Sequence, residues 1–397
     1  MWSVPALLLF LQADPEAEGL KALEAKQYPA AITAFEKALA ADPKDYGAHF
    51  NIALAYSMSG DNPKAAESYR KTLELKPGLY EAELNLGVVL LNLKRPSEAL
   101  AVLQPALDKK PKEFRPNYYM AEALFASGDY PKAEQQFRAT LEIDAKSTDV
   151  QAGLGRSLAR QGKLKEAEPI LRGAGDSDGL LELAGLYEKA KDAVAAIAIY
   201  KDFPDNPAVR ERMGQLMLES GQASEAIPQL EEAVKRSPTA ANRYALATAY
   251  LRAKQTEKAA AMMEQAIAAE PANAELRIAH GGMLRDQKNF QAAAQQFWKA
   301  AQLKPDSKEA WSGVATMLMS LENYPQSLAA FDKLEALGDP NPGIYFFKAL
   351  ALDKTKQYLP AKENYQKFLA LSENKHPDEE FKARQRIKVI DKELAKR

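Results

Sequence analysis

The sequence predicts an all-α protein built as a solenoid, in which pairs of antiparallel helices stack along one direction. The first observation is a ten-residue pattern, GDYPKAEQQF from Gly128 to Phe137, which returns in varied copies along almost the whole chain. The second is its spacing, because a small residue recurs at the sixth position and eight of the ten intervals are 33 or 34 residues. A fixed period in this range is typical of stacked repeats. The small residues are Ala31, Ala65, Ala99, Ala133, Ala167, Ala196, Ala226, Ala259, Ala293, Ser327 and Ala361.

Each part of the pattern has a physical reason. A Gly or a polar pair ends one helix, and Pro at the first helical position starts the next. The small residue lies where two helices cross, because a larger side chain would push them apart. A Phe or Tyr four residues later shares its helical face and fills the gap to the neighbouring helix. The pattern therefore predicts one close helix crossing in every repeat.

Length and composition agree with an array that grows lengthwise. A chain of 397 residues is large for one compact core, whereas repeats contact only their neighbours. The 53 basic and 54 acidic residues leave a formal net charge of −1, which argues against a dedicated nucleic-acid binder. No cysteine is present, so disulfides, thiolate metal sites and cysteine nucleophiles are excluded.

The first thirteen residues differ from the rest. Val4 to Leu11 is apolar apart from Pro5, and Ala13 precedes the acidic Asp14. This order favours a short secretory signal, although no Lys or Arg precedes the apolar run. The alternative is a hydrophobic N-terminal helix that packs on the first repeat. No apolar run approaches the roughly 18 residues that a membrane-spanning helix needs.

Eleven repeats follow, each predicted as two antiparallel helices. Repeats one to four cover residues 14–45, 46–79, 80–113 and 114–147, with apolar residues at the three- and four-residue spacing of amphipathic helices. Repeats seven to eleven resume that period after two shorter repeats in the middle.

The shorter repeats five and six cover about 148–176 and 177–206, and the Gly-rich stretch from Arg172 to Gly179 lies where they meet. We expect repeat five to lose the last turn of its second helix there. The same stretch predicts either a change of superhelical pitch or a hinge, which would divide the array into residues 14–176 and 177–375.

The tail, residues 376–397, is predicted as one more helix that caps the array. Its first turn is acidic and its last turn basic, which suits the helix dipole. A capping helix covers the hydrophobic groove that an open-ended stack leaves exposed to water. The apolar stripe that would cover it consists of Ala383, Ile387, Ile390 and Leu394.

The chain resembles tetratricopeptide-repeat proteins over residues 14–375. The resemblance rests on a small residue in the first helix, a second small residue in the next and an aromatic residue four places on, as in Ala121, Ala133 and Phe137. It implies a right-handed superhelix whose first helices line a concave surface for a peptide or a partner's helix. The departures are Leu103, Leu171, Leu230 and Met263 at the aromatic position and Ser327 at the Ala position.

Little in the sequence indicates catalysis or cofactor binding. Gly153 and Gly155 lack the further glycine and the preceding strand of a nucleotide-binding loop. The stretch from Asp176 to Gly179 lacks the ligands of a calcium loop and is interpreted as a polar turn. The three histidines lie far apart in the array. We therefore predict no enzyme activity, no cofactor and no metal site.

The resemblance also selects candidate partner-binding residues. The sixth position of the first helix faces the concave groove in this family, and it is Asn51 in repeat two and Asn85 in repeat three. Phe50 and Glu81 stand where relatives that clamp a C-terminal carboxylate carry other residues, which argues against that specialised function. The two asparagines are either ligand-binding amides or solvated helix residues, and the aromatics either contact a ligand or pack between repeats. The predicted partner-binding residues are Phe50, Asn51, Asn85, Arg115, Tyr118, Tyr119, Glu122 and Arg156.

Two hypotheses of function follow. The first is a non-catalytic scaffold or adaptor that binds protein or peptide segments, in a bacterial protein exported to the periplasm or secreted that assists envelope assembly or secretion. The second is a carrier or sensor subunit for glycans or small ligands, with Tyr118, Tyr119 and Phe125 as a stacking platform. A cytoplasmic location is the alternative if residues 1–13 are not a signal.

Overall fold

A computed structural model describes residues 14–395, and the predicted signal segment at residues 1–13 lies outside them. Within residues 14–395 the chain forms 23 helices and no strand, which confirms the all-α prediction. The chain divides into two compact units, the first reaching Ile199 and the second starting at Tyr200. The predicted division after residue 176 stays a prediction.

The helices of the first unit form consecutive hairpins. They are α1 Pro15–Glu24, α2 Tyr28–Ala41, α3 Tyr46–Ser59, α4 Asn62–Leu75, α5 Tyr80–Asn92, α6 Pro96–Lys109, α7 Phe114–Ala126, α8 Tyr130–Ile143, α9 Thr148–Arg160, α10 Leu164–Ala174 and α11 Ser177–Lys189, with α12 Ala193–Tyr200 at the boundary.

The second unit repeats the arrangement and ends in a single helix. Its helices are α13 Pro207–Glu219, α14 Ala223–Arg236, α15 Ala240–Arg252, α16 Thr256–Ala269, α17 Ala274–Asp286, α18 Phe290–Leu303, α19 Lys308–Ser320, α20 Tyr324–Ala336, α21 Gly343–Lys354, α22 Tyr358–Ser372 and α23 Pro377–Leu394.

Packing within each unit runs from neighbour to neighbour. The two helices of a hairpin pack together, as α3 does with α4, and the second helix packs on the next hairpin, as α18 does on α19. First helices also pack on one another, α5 on α7 and α17 on α19 for example, whereas no pair of second helices packs to that extent in the described chain. Each stack is therefore tighter on the side of its first helices, which we call the first-helix face.

The repeated small residues lie at the helix crossings, as predicted. All eleven, from Ala31 to Ala361, have no exposed surface, and the residues four places later are at most 7% exposed. Ser327 is the only polar residue of the set, and its hydroxyl donates to the carbonyl oxygen of Ala315 at 2.9 Å. The buried hydroxyl thus has a hydrogen-bond partner within the helix crossing.

The first residue of every copy of the pattern adopts a left-handed backbone conformation. Four of the eleven are glycines, for example Gly128 with φ of 86°, and the other seven are Lys or Glu with φ between 57° and 62°. This conformation ends the first helix and reverses the chain within a few residues. The turns are tight because the second helix begins two residues after this position, with Pro or a polar cap at its start.

The two middle repeats are shortened in their second helices. The helix α10 has 11 residues and α12 has 8, whereas most second helices have 14. The predicted loss of a turn in repeat five is confirmed. Gly175, with φ of 70°, ends α10, and Asp176 caps α11 by accepting from the backbone NH of Gly179 at 3.0 Å. Within the Gly-rich stretch only Gly175 and Asp176 lie between the two helices, so the polar turn expected at Asp176–Gly179 is largely the first turn of α11. The action of the stretch as a hinge stays a prediction.

The last helix, α23, covers the end of the second unit. Ala383 and Ile390 are completely buried, and Ile387 and Leu394 pack against the same hydrophobic cluster. The predicted apolar stripe and its capping position are confirmed. No helix among residues 14–395 is both long and apolar enough to cross a membrane.

Candidate binding faces

The first-helix face of the first unit carries all eight predicted partner-binding residues. They lie on four consecutive first helices, so the structure brings them to one side of the unit: Phe50 and Asn51 on α3, Asn85 on α5, Arg115, Tyr118, Tyr119 and Glu122 on α7, and Arg156 on α9. Arg115 is exposed and the other seven are half-buried.

Asn85 lies at the centre of a polar contact between repeats. Its side-chain oxygen accepts from the guanidinium of Arg115 at 3.4 Å. Beneath it is the fully buried ring of Tyr69, whose hydroxyl makes no hydrogen bond of good geometry. Burial raises the pKa of Tyr69 to about 12, and nearby Asn85 and Arg115 oppose that rise in part. Asn85 therefore has a structural contact with the neighbouring repeat and also borders the open face.

The aromatic residues of this face are partly used in packing. The ring of Phe50 meets Tyr69 edge-on with centroids 5.6 Å apart, and Tyr118 stacks on Phe114 at 5.7 Å. Tyr119 lies against Tyr118 at 5.3 Å and also packs on the hydrophobic cluster below. These rings are half-buried, so they present one rigid edge to the face while the rest of each ring holds neighbouring helices together.

Of the predicted residues Glu122 on α7 and Arg156 on α9, the arginine is already held in an ion pair. Arg156 donates to both oxygens of Asp176 at 2.6 Å, and this pairing raises the pKa of the guanidinium. Burial raises the pKa of Glu122, with Asp149 adding to the rise and Arg156 opposing it. Since Asp176 holds Arg156, the arginine ties α9 to the turn before α11 and offers little free charge to a ligand.

A groove that was not predicted from the sequence lies on the first-helix face of the second unit. It is a cavity of about 610 Å³ between α15, α17 and α19, which we call the second-unit groove. Its walls carry Tyr244, Arg285 and Thr316, and its edge at the start of α17 and α19 carries Glu275 and Glu309. The rest of its lining consists of Ile278, Ala279, Gly282, Phe297, Ser312 and Gly313.

Small residues make this groove deep, and they do so for two different reasons. A Cβ on Gly313 would lie 2.4 Å from the ring of Phe297, so the helix crossing requires a glycine there. A Cβ on Gly282 would meet no atom within 4 Å, so nothing in the fold requires that glycine. The sequence does contain one signal for the groove, the adjacent glycines Gly281 and Gly282. Packing against Phe297 accounts for the first glycine but not for the second.

The charges of the second-unit groove lie at its two ends. Lys304 pairs with Glu275 at 3.0 Å and lowers the pKa of that carboxyl, with Glu309 also close enough to raise the pKa of the lysine. At the other end Arg285 pairs with the adjacent Asp286 at 2.9 Å. One lysine thus faces two carboxylates, which leaves the Glu275 edge with an excess of negative charge.

The described residues contain no group of three or more His, Asp or Glu side chains placed to hold a metal ion. His280 is buried and its Nδ1 has no hydrogen-bond partner, while the Nε2 of His49 donates to the carbonyl oxygen of Pro43 in the preceding turn at 3.1 Å. The three histidines stay apart along residues 14–395, in α3, α17 and before α23.

Sequence models described as tetratricopeptide repeat match most of the chain. One matches residues 16–80 and 284–342, a second matches 58–125, 124–190 and 217–280, and a third matches 342–375. The matches therefore extend through both units and leave out the region around α12 as well as α23.

Two curated relatives cover large parts of the chain. The TPR repeat-containing protein YpiA of Bacillus subtilis is 23% identical over 309 residues, which is 77% of this chain and 64% of that protein. The type IV pilus assembly protein PilF of Pseudomonas aeruginosa is 25% identical over 160 residues, which is 40% of this chain and 64% of that protein. The aligned part of the chain thus spans just under two thirds of the length of each relative.

Two solved structures align with the chain at low identity. Yeast Tom70 aligns over 96% of both chains with 16% identity and a TM-score of 0.38. MamA from Desulfovibrio magneticus RS-1 aligns over 41% of this chain and 92% of its own, with 20% identity and a TM-score of 0.40.

Proposed function

Because the chain belongs to the tetratricopeptide-repeat family, we propose that it is a non-catalytic scaffold that binds segments of other proteins on its first-helix faces. Proteins built from these repeats act as protein-interaction scaffolds. The observation that carries the proposal for this chain is the accumulation of half-buried aromatic and polar side chains on one side of each unit. Rigid aromatic rings beside amides and charged groups suit a peptide, since they give contact area at low cost in conformational entropy.

Photocrosslinking in cells tests the proposal directly. A photoreactive phenylalanine analogue in place of Tyr119 lies on the first-helix face, and the same analogue in place of Gln135 lies on the exposed side of α8 in the same hairpin. We expect protein adducts from position 119 and few from position 135. Equal adducts from both positions, or none from either, would contradict binding on this face.

The asparagines provide a second test with the same partners. Asn51→Ala combined with Asn85→Ala removes two amides from neighbouring repeats, and Asn85→Ala also removes the contact with Arg115. We expect the partners captured at position 119 to be lost from pull-downs with the double variant. Retention of every partner would remove these asparagines from the site.

A role in the bacterial envelope is the finer part of the proposal. It is supported by the apolar run from Val4 to Leu11, which favours a secretory signal, and by the likeness to a type IV pilus assembly protein. A fusion of residues 1–20 to a reporter that is active only outside the cytoplasm measures export. An inactive fusion that accumulates in the cytoplasm would contradict export and leave the scaffold proposal intact.

Glycan or small-ligand binding on the predicted platform of Tyr118, Tyr119 and Phe125 is the second candidate. The rings of Tyr118 and Tyr119 adjoin Phe114 on α7, whereas Phe125 lies against Tyr130 at 5.5 Å. An aromatic platform stacks on the apolar faces of sugar rings. Titration of the purified protein with a panel of oligosaccharides, with Tyr118→Ala as the comparison, measures this activity. Saturable binding that Tyr118→Ala abolishes would favour the carrier function over the scaffold.

A further inference from the structure

The second-unit groove contains open space above Gly282, where the packing of the repeats leaves room for a side chain. Its volume of about 610 Å³ is within the ~300–1,000 Å³ typical of ligand sites in proteins. The floor between α17 and α19 is formed by backbone and small side chains, chiefly Ala279, Gly282 and Gly313. A bulky group can therefore approach the helix backbone here.

Gly282 is the residue that most directly points to an occupant. A glycine inside a helix weakens it, and an added Cβ at 282 would project into open space without touching a neighbour. The glycine therefore serves no packing purpose among the described residues, in contrast to Gly281, whose Cβ would lie 3.0 Å from Phe297. Its effect is to keep the middle of the groove free.

Charge gives the groove a direction. Glu275 and Glu309 each stand at the second residue of a first helix, so both lie at the same edge of the face, where Lys304 pairs with Glu275 and is also close to Glu309. Arg285 lies ten residues further along α17, which is about 15 Å away along the helix axis. Tyr244, 40% exposed, forms the wall towards α15.

We propose that the second-unit groove takes an extended segment of a partner protein in which a bulky apolar or aromatic side chain stands two residues from a lysine or arginine, so that both side chains point to the same face of the segment. The bulky side chain lies over Gly282, between Tyr244 and Thr316, and the basic group pairs with Glu309 and Glu275 at the edge. Charge pairing at this exposed edge sets the register of the segment, while the side chain over Gly282 supplies most of the contact. The inference rests on the proposed scaffold function and adds the chemical class of the bound segment.

Binding of labelled peptides to the full chain tests the class. The probes are nine-residue peptides of Gly and Ser with two variable positions separated by one Gly, occupied by Phe and Lys, Phe and Glu, Ala and Lys, or Ala and Ala, and named by those pairs. Fluorescence polarisation is the readout. We expect the Phe-Lys peptide to bind at least tenfold more tightly than each of the other three. Equal affinity of the Phe-Lys and Phe-Glu peptides, or of the Phe-Lys and Ala-Lys peptides, would overturn the proposal.

Two variants locate the site, and a matched one controls for folding. Gly282→Leu fills the groove and Glu309→Gln removes charge from its edge, and each is expected to weaken binding of the Phe-Lys peptide at least tenfold. Gly185→Leu is the control, since Gly185 occupies the equivalent place in α11 and a Cβ there also meets nothing within 4 Å. It should leave the affinity unchanged. Circular dichroism should show all three variants as helical as the parent.

The outcomes separate this inference from the proposed function. Unchanged peptide affinity in a folded Gly282→Leu variant would overturn the groove assignment, even if position 119 still captures protein partners. Failure of the scaffold function itself would instead appear as an absence of protein adducts from positions 119 and 244 alike.

Discussion

At the scale of single residues, the turn between the two helices of each repeat uses a backbone conformation that most of its residues do not favour. Seven of the eleven left-handed positions hold Lys or Glu, among them Lys26, Lys94 and Lys288. For a residue with a Cβ the left-handed conformation costs about 1 kcal/mol or more, whereas glycine adopts it freely. At these positions the packing of the two flanking helices therefore holds the residue in a backbone conformation that it disfavours.

Lys288→Gly is predicted to stabilise the second unit by about 0.5–1 kcal/mol, because it removes the Cβ strain at φ of 61°. Lys299→Gly is the control, since Lys299 is an exposed residue in the interior of α18 and its loss should cost about 1 kcal/mol. Thermal unfolding followed by circular dichroism measures both. Opposite shifts in Tm are expected, and a lower Tm for Lys288→Gly would contradict the strain argument.

His280 is a second residue whose role depends on its surroundings. It occupies a helix position where other repeats carry buried apolar residues, such as Leu86 and Leu246. Burial lowers its pKa, Arg277 lowers it further, and Glu264 opposes the shift in part. The folded chain therefore favours the neutral imidazole, and its Nδ1 has no partner to offset the burial.

The sign of the pH dependence follows from that lowered pKa. Protons bind more readily to His280 in the unfolded chain, so its contribution to stability is present above about pH 6.5 and is lost as pH falls below it. His280→Met is predicted to reduce the fall in Tm between pH 7.5 and pH 5.5. An unchanged fall would mean that other groups cause the loss of stability at low pH.

Residue-scale prediction from the sequence succeeded where the requirement was local. Every small residue of the repeat was expected at a helix crossing, and each is buried, because the steric demand depends on two neighbouring helices with a known spacing. The second-unit groove was not predicted. It stays open because Gly282 has no side chain, and the sequence alone does not show that the space above this glycine is empty. Asn85 was predicted for its amide, whereas its contacts with Arg115 and Tyr69 come from the adjoining repeat and the packing beneath it.

At the scale of helices, the bounds predicted for the repeats can be compared with the helix pairs of the structure. The predicted repeat at 148–176 compares with α9 and α10, which run from Thr148 to Ala174. The signals that ended these helices, a glycine at one end and a proline or polar cap at the other, act locally and can be recognised without tertiary structure. The ion pairs that join one helix to another could not be predicted in this way, because they depend on register between repeats.

The capping helix shows how such ion pairs act. Arg386 of α23 donates to both oxygens of Asp353 in α21 at 2.7 and 2.8 Å, and the carboxylate is 6% exposed. Glu380, also buried, accepts from the hydroxyl of Ser372 at 2.8 Å and from Arg384 at 2.9 Å. These contacts hold α23 over the hydrophobic end of the second unit.

Arg386→Met is predicted to loosen α23, because it leaves the carboxylate of Asp353 buried without its cation. Removing one partner of a buried pair typically costs about 3–5 kcal/mol. Limited proteolysis should then cleave within residues 373–394 at least tenfold faster than in the parent. Lys382→Met is the control on the exposed side of the same helix and should leave the cleavage rate unchanged. Equal cleavage of parent and Arg386→Met would show that the apolar contacts alone secure the helix.

At the scale of the whole molecule, stability comes from contacts between neighbouring repeats. Among residues 14–395, hydrophobic clusters form successively along each unit, one around Phe35 and another around Leu86 and Leu103 in the first. Stability in such an array is approximately a sum over repeats and their interfaces. This is why the period in the sequence was enough to predict the architecture. The division between the two units at residue 199 was not predicted, since it depends on contacts among several repeats.

The last prediction concerns how far a local change spreads in the first unit. A Cβ on Gly153 would lie 2.3 Å from the ring of Phe137, which is completely buried, so Gly153→Ala forces α8 and α9 apart. Overpacking of this kind costs about 1–3 kcal/mol. Gly185→Ala adds the same methyl group in α11, where nothing lies within 4 Å, and should be neutral or stabilising. Hydrogen exchange should accelerate in α7 to α10 of the Gly153→Ala variant and stay unchanged in α1 to α4, because only neighbouring repeats share contacts. A uniform increase from α1 to α11 would show instead that the first unit unfolds as a single cooperative body.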